Sequence, residues 1–172
     1  MLAGAIFLFY KRRLRARAIA EIVADPELLA SWTYNGVEWQ KAVEDEFSWG
    51  KSADGAAKIY IAKTGIYLKS DSREHLIELT TRGKVVTYAA YGGPGLPLKL
   101  RVRWRVVRQR RGGGEEIHYH REDYRIPVPP REMDAAQRVA AFFSTEIERN
   151  PGFYTLLVGE DEPMSLFGRD SF

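Results

Sequence analysis

The residues best suited to do chemistry in this sequence are its histidines, because the chain contains no cysteine. His118 and His120 form a His-x-His pair, and alternate residues of a β-strand project from one face, as two metal ligands require. Glu116, Glu122 and Asp123 lie close by in the sequence. A complete site also needs a third ligand and a partner that orients each imidazole, and no pattern marks either of them. We therefore predict solvated strand histidines, with no bound metal and no cofactor.

The sequence contains none of the common catalytic motifs. It has no G-x-S-x-G nucleophile elbow, no H-E-x-x-H zinc motif and no G-x-G-x-x-G dinucleotide loop. The glycine-rich segment 92–97, GGPGLP, lacks the Lys and Ser or Thr of a phosphate-binding loop and leads into a predicted strand, which indicates a simple connection. We predict that the protein is not an enzyme.

The positive charge of the chain is concentrated in two stretches that contain no acidic residue. The formal net charge is +3, so the rest of the sequence is net negative. The first stretch follows the N-terminus and contains Lys11, Arg12, Arg13, Arg15 and Arg17. The second contains Lys99, Arg101, Arg103, Arg105, Arg108, Arg110 and Arg111. Such clusters favour an anionic partner, either a membrane surface or nucleic acid.

The first ten residues, MLAGAIFLFY, are apolar and directly precede the first basic stretch. They cover about half of the roughly 20 residues that a membrane-spanning helix needs, and cations after the apolar run are typical of a segment whose C-terminal side faces the cytoplasm. Three interpretations follow: the end of a transmembrane helix whose preceding part is missing from this sequence, a short segment in the membrane interface, or an organelle-targeting peptide. The alternative is a helix docked on the domain, because Ile19, Ile22 and Val23 continue a helical period. We expect an anchored or peripheral location on the cytoplasmic side of the cell membrane.

Two helices are predicted over residues 25–48. Asp25 and Pro26 are typical of a helix start, since Asp caps a backbone N–H and Pro is tolerated at the first helical position, so a short helix is expected over residues 27–32. Apolar residues spaced by four predict a second helix over residues 37–47. Three aromatic residues of this region are expected in the core, namely Trp32, Tyr34 and Trp39.

From Ala56 onward the apolar period changes to two, which predicts antiparallel strands. One pair is expected around the turn at Lys63–Gly65, and a second pair is expected around Arg82 and Gly83. Prolines at 127, 129 and 130 end the last strand. A closing helix is then expected from near Arg131, with one apolar stripe formed by Met133, Ala136, Val139, Ala140, Phe143 and Ile147.

The strand beginning at Leu98 shows the clearest alternation in the chain. Its apolar residues are expected to face the core, and the opposite face is expected to present a row of cations about 7 Å apart. A glycine-rich turn leads to the returning strand, EIHYHREDYRIPV, at residues 116–128. Its Glu122 and Asp123 are expected to neutralise part of the row by cross-strand pairing, which is the alternative to a binding face.

These elements predict an α+β protein, in which an antiparallel β-barrel or strongly bent sheet is closed by one C-terminal helix and preceded by an N-terminal helical segment. The predicted organisation has four parts: an anchor helix with a basic flank at 1–24, a helical pair at 25–48, a β domain with its closing helix at 49–148, and a tail at 149–172.

The order of these elements resembles bacterial PH-like domains of the YcxB-like type. The resemblance lies in RIPVPPREMDAAQRVAAFF at 125–143, where the last strand runs through an Ile-Pro pair into the helix, and in the paired strands KIYIAKTGIYLKS at 58–70. It covers about residues 50–147 and departs from the family in the preceding helical pair and the longer tail. The resemblance implies a PH-like fold and a cytoplasmic, membrane-associated, non-enzymatic protein, and it assigns no site residue.

We expect a membrane-tethered PH-like module that binds a protein partner or anionic lipid headgroups through its two basic stretches. Each cation close to an anionic membrane contributes about 1 kcal/mol. One alternative is a soluble nucleic-acid-binding domain that uses the arginine hairpin, ranked lower because few aromatic residues accompany the cations. Another is a small ligand-binding or hydrolytic barrel.

Overall fold

The computed structural model describes residues 2–46, 55–71, 73–80, 83–109 and 113–151. Its helices are α1 (Leu2–Val23), α2 (Gly36–Glu46) and α3 (Met133–Arg149). Its strands are β1 (Ala30–Tyr34), β2 (Ala57–Ile61), β3 (Gly65–Ser70), β4 (Glu74–Glu78), β5 (Val85–Tyr91), β6 (Leu98–Gln109) and β7 (Glu115–Ile126). The chain divides into two compact units, Met1–Glu78 and Leu79–Phe172. This boundary falls inside the predicted β domain of residues 49–148.

The first unit contains an antiparallel sheet in the order β1-β2-β3-β4. The predicted hairpin of β2 and β3 is confirmed, with Ile59 opposite Leu68 and Ile61 opposite Ile66. All four of these side chains are buried, because alternation places them on the covered face of the sheet.

Strand β1 replaces the first of the two predicted helices, so that prediction was wrong. Asp25 Oδ1 accepts the N–H of Glu27 at 2.8 Å, which forms a local turn and not a helix cap. Ala30–Tyr34 then pairs with β2 and buries every second side chain. Pairing with the sheet outweighs the local helix signal, because it satisfies the backbone and covers the aromatic residues together.

The second predicted helix is confirmed as α2. The Asn35 side chain accepts the N–H of Glu38 at 2.9 Å, and the Glu38 carboxylate accepts the N–H of Asn35 at 3.1 Å. This reciprocal pair is a capping box, which satisfies two backbone donors at the start of the helix. The prediction that Trp32, Tyr34 and Trp39 lie in the core is also confirmed, since all three are buried.

The C-terminal part of α1 docks on this first sheet. Ile22 is buried in a cluster with Ala62 and Tyr67, and Ile19 packs against the same cluster. Docking by Ile19 and Ile22 therefore agrees with the docked-helix interpretation, whereas Val23 is exposed. Arg15 adds a hydrogen bond from Nη2 to the carbonyl oxygen of Glu74 at 2.9 Å.

The second unit contains the antiparallel sheet β5-β6-β7, with α3 packed against β5. The predicted closing helix is confirmed, and its buried stripe consists of Ala135, Ala136, Val139, Ala140 and Phe143. Met133 and Ile147, at the ends of the predicted stripe, are half-buried. Ser144 Oγ donates to the carbonyl oxygen of Ala89 at 3.3 Å, which adds a polar contact between the helix and β5.

The predicted pairing of β4 with β5 was wrong, because β4 pairs with β3 and β5 pairs with β6. The described strands form two open antiparallel sheets, so the barrel, one of the two predicted forms of the β domain, was wrong for this part of the chain. The coarser prediction, an α+β protein with antiparallel sheets and a C-terminal helix, is confirmed.

Candidate anion-binding surfaces

The β6–β7 hairpin places most of the second basic stretch on one face of the sheet. Residues opposite each other in the register share a face, and the successive pairs are Lys99 with Arg125, Arg101 with Asp123, Arg103 with Arg121, and Arg105 with Tyr119. We call this surface the cationic face. The predicted alternation of apolar and basic residues along β6 is therefore observed. Arg108, which is an even-numbered residue, lies on the opposite face.

The cationic face is not an exposed row of charges along its whole length. Arg101 is 6% exposed and Arg103 is 9% exposed, which corrects the expectation that every cation of the row lies at the surface. Lys99 is half-buried, whereas Arg105 and Arg108 are exposed. Arg110 and Arg111, which were also predicted to belong to the basic surface, lie outside the described residues.

Asp123 explains how Arg101 can be buried. Arg101 Nε donates to Asp123 Oδ1 at 2.6 Å, and Arg121 Nε donates to Asp123 Oδ2 at 2.8 Å. Burial acts to raise the pKa of Asp123, but the hydrogen bonds from Arg121 and Arg101 act in the other direction, and the pKa lies below its ordinary value. The predicted cross-strand neutralisation therefore occurs at Asp123.

Arg101 also contacts an aromatic ring. Its guanidinium carbon lies 5.7 Å from the ring centroid of Tyr88 on β5, a distance at which the ring attracts a cation. A shallow, open depression lies beside this contact, lined by Tyr88, Lys99, Leu100, Asp123 and Arg125. It combines cations with one carboxylate that is already bound, so further anions would be favoured there only weakly.

Glu122, the other predicted neutralising residue, lies on the opposite face of the hairpin. Lys84 Nζ is 3.3 Å from Glu122 Oε2 and 4.4 Å from the ring centroid of Trp104. Tyr124 donates a short hydrogen bond to Glu122. Burial and that hydrogen bond both raise the pKa of Tyr124, so its hydroxyl stays protonated. Among the described residues, Glu122 therefore pairs with Lys84 and Tyr124 on the face opposite the cationic face.

The His-x-His pair lies on this same opposite face, as its spacing predicts. His118 Nε2 is 3.4 Å from Glu116 Oε1, and the His120 ring stacks on Trp104 with centroids 5.2 Å apart. Within the described ranges, no group of three or more His, Cys, Asp or Glu residues is arranged to hold a metal ion.

The first basic stretch lies on the N-terminal part of α1. Lys11, Arg12, Arg13, Arg15 and Arg17 are all exposed, as are three large apolar residues beside them, Phe9, Tyr10 and Leu14. Within the first unit, Arg15 donates to the Glu74 carbonyl oxygen, and Arg17 pairs with Glu21 at 2.8 Å.

The expectation of a transmembrane helix was wrong for the described helices. None of them combines the length and the apolar character needed to cross a bilayer. The first of the five cations of α1 is Lys11, so the apolar run before it is only about half as long as a membrane-spanning helix.

Three exposed apolar residues near the tip of the hairpin were not predicted as a group. Val107 and Ile117 are each 44% exposed, and Tyr119 is 52% exposed. Val107 and Ile117 are direct cross-strand partners. The sequence did indicate an apolar residue on the cationic face, because Val107 breaks the alternation of apolar and basic residues along β6. The residue opposite Val107 could not be predicted, because it depends on the register of the hairpin.

Comparisons of the chain with protein-family models, with curated proteins and with solved structures found no match.

Proposed function

We propose that this chain is a non-enzymatic, PH-like module that binds an anionic lipid surface on the cytoplasmic side of the membrane through the first part of α1. The contact is peripheral and requires no membrane-spanning helix. The observation that carries the proposal is the grouping of exposed cations with exposed large apolar residues on one helix whose other end is docked.

The exposed group on α1 has the composition of a segment that lies in a membrane interface. Phe9 is 69% exposed and Tyr10 is 60% exposed, and neighbouring exposed apolar residues of this kind are typical of a surface that contacts a membrane or a partner. Aromatic and aliphatic side chains enter the boundary between headgroups and acyl chains, while adjacent Lys and Arg side chains bind anionic headgroups. Lys11, Arg12 and Arg13 follow immediately in the sequence.

The C-terminal end of α1 is docked on the first unit, so the exposed N-terminal part of the helix is held to the protein. Ile19 and Ile22 pack into the first unit, so the exposed residues continue from an anchored helix. Less conformational freedom is then lost when the exposed part binds a surface.

The element order supports the PH-like part of the proposal. In the described part of the chain, seven antiparallel strands are followed by a Pro-bounded junction and one C-terminal helix, which is the order that the resemblance implies. One departure is α2, inserted between β1 and β2, and another is the division of the described strands into two open sheets.

Vesicle binding tests the proposal. Full-length protein is mixed with phosphatidylcholine vesicles with and without phosphatidylserine, at low and high salt, and bound protein is measured by sedimentation. We expect binding that requires phosphatidylserine and falls with salt. The triple variant Lys11→Gln, Arg12→Gln, Arg13→Gln should bind roughly a hundredfold more weakly, because each cation contributes about 1 kcal/mol.

A matched control removes three exposed cations elsewhere, with Lys41→Gln, Arg138→Gln and Arg149→Gln. This variant has the same net charge as the first and should bind nearly as well as the unmodified chain. Equal weakening by both variants would show a general charge effect and would refute the role of α1. Absence of binding to phosphatidylserine vesicles would refute the lipid proposal itself.

A further inference from the structure

The outer part of the β6–β7 hairpin extends beyond β5. Strand β5 pairs with β6 only from Leu98 to Arg103 among the described residues, whereas β6 and β7 remain paired to Gln109 and Glu115. We call the remaining two-stranded segment, Trp104–Gln109 with Glu115–His120, the outer ribbon. Among the described strands, no third strand pairs with this segment.

One side of the outer ribbon carries a compact group of exposed side chains. Val107 lies opposite Ile117, and the next pair on the same face is Arg105 with Tyr119. We call these four residues the ribbon patch. All four are exposed, and they are adjacent, because cross-strand partners are about 5 Å apart and the next pair on the face is about 7 Å away. A grouped apolar surface of this kind is typical of an interaction site.

The charges around the ribbon patch determine which partner fits it. Arg105 belongs to the patch, and Arg121 on the same face is exposed. On this face the four arginines Arg101, Arg103, Arg105 and Arg121 outnumber the two carboxylates Asp123 and Glu115. The local field is therefore positive, and a partner with carboxylates beside its apolar residues is complementary.

Two other occupants fit the patch less well. A second copy of this chain placed face to face would bring two faces of net positive charge together, and like charges oppose such a contact. Single-stranded nucleic acid uses aromatic platforms for successive bases, whereas the patch offers one aromatic ring, that of Tyr119, beside two aliphatic side chains.

We propose that the ribbon patch is a docking surface for an amphipathic, acidic helix of a partner protein. The apolar stripe of that helix covers Val107, Ile117 and the Tyr119 ring, and its flanking glutamates or aspartates pair with Arg105 and Arg121. This inference does not depend on lipid binding by α1, so the failure of either proposal leaves the other intact.

The test uses the full-length chain and a synthetic, fluorescently labelled helical peptide with a leucine stripe flanked by glutamates. A second peptide has every glutamate replaced by lysine. We expect fluorescence anisotropy to detect binding of the acidic peptide and at least tenfold weaker binding of the basic one. The double variant Val107→Ser, Ile117→Ser and the single variant Arg105→Glu should each weaken binding of the acidic peptide at least tenfold.

Matched controls are Val37→Ser, which alters an exposed valine of α2, and Arg138→Glu, which alters an exposed cation of α3. Both should bind the acidic peptide like the unmodified chain. Circular dichroism checks that each variant is folded, and Arg105→Glu keeps the test valid if the double serine variant unfolds, because it changes only an exposed side chain.

Several outcomes would overturn the proposal. They are no binding of the acidic peptide, equal binding of both peptides, or unchanged binding by the double variant and by Arg105→Glu. Oligothymidylate binding that Arg105→Glu abolishes, without peptide binding, would assign the patch to nucleic acid. A dimer in sedimentation equilibrium that Val107→Ser dissociates would assign it to a second copy, and loss of phosphatidylserine vesicle binding in the double variant would assign it to a membrane.

Discussion

Arg101 and Asp123 lie directly opposite each other on β6 and β7, with Arg101 Nε 2.6 Å from Asp123 Oδ1. The Arg101 side chain is almost fully buried, while that of Asp123 is 35% exposed. The pair therefore joins a desolvated cation to a carboxylate that still contacts solvent. Arg121 binds the second carboxylate oxygen, so one acidic residue stabilises two arginines of a face that carries several cations.

Replacing Asp123 by Asn should destabilise the protein by about 3 kcal/mol, because the buried Arg101 guanidinium would lose the carboxylate charge that lies opposite it. Urea unfolding followed by circular dichroism measures the change. Glu148→Gln is the control, since it removes one negative charge from an exposed position of α3 and should change stability by about 0.5 kcal/mol or less. A loss below about 1 kcal/mol for Asp123→Asn would mean that Arg101 gains little from the pair.

The same pair should produce an acid dependence of stability. The pKa of Asp123 is lower in the folded protein than its ordinary value, so the unfolded chain binds the proton more tightly. The contribution of the pair is then fully present above the ordinary pKa of about 3.9 and is lost as the pH falls through the folded-state pKa. The stability difference between the unmodified chain and Asp123→Asn should be constant near neutral pH and should narrow below about pH 4. If the stability difference between the two proteins stayed constant down to low pH, the lowered pKa of Asp123 would not be a source of stability.

Gly65→Ala should destabilise the first unit by about 2 kcal/mol, the usual cost of overpacking. A methyl group at this position would lie 2.7 Å from the Ile77 carbonyl oxygen and 2.9 Å from Ile22 Cδ1, so both β4 and the docked end of α1 would have to move. Gly36→Ala is the control, because its nearest contact would be an ordinary 3.5 Å. Denaturant unfolding of both variants checks the prediction, and equal stabilities would show that Ile22 moves aside without cost.

Arg15→Gln should raise the pKa of His75 towards its ordinary value without reaching it. Burial makes the largest contribution to the lowered pKa of His75, and the positive charge of Arg15 adds to it. Because the folded-state pKa is lowered, this contribution to stability is present above about pH 6.5 and is lost as the pH falls through the folded-state pKa. The variant should therefore lose less stability in acid. NMR titration of the His75 imidazole measures the shift.

Arg12→Gln is the matched control for this titration, because it removes an exposed cation from the same helix. It should leave the pKa of His75 nearly unchanged. If Arg12→Gln and Arg15→Gln shift the pKa of His75 equally, the shift arises from the total positive charge of α1. It would then not depend on the position of Arg15 beside β4.

Apolar periodicity predicted the elements in which one face of a local segment is buried. It identified α2, the β2–β3 hairpin, the long β6–β7 hairpin and α3, because a period of two or of 3.6 residues arises directly from covering one side of a strand or helix. It also predicted that Lys99, Arg101, Arg103 and Arg105 share a face, since alternation alone determines that.

Local signals failed where a partner distant in sequence decides the conformation. Residues 30–34 alternate apolar and polar side chains, which is a short strand signal, but the helix-start signal at Asp25 and Pro26 competes with it. Pairing with β2 decides between the two, because it satisfies the backbone and buries Trp32 and Tyr34. The separation of β4 and β5 into different sheets likewise depends on which strand edges meet, which a local pattern cannot encode.

By itself, therefore, the sequence determined which residues are basic, which of them share a face and where the closing helix lies. Only the tertiary structure decided which cations remain available for binding. Arg101 can be buried because Asp123 lies opposite it on β7. Val107 belongs to an exposed apolar patch because Ile117 lies opposite it. Both relationships depend on the register of β6 and β7, and a shift of one residue would exchange the two faces of the hairpin.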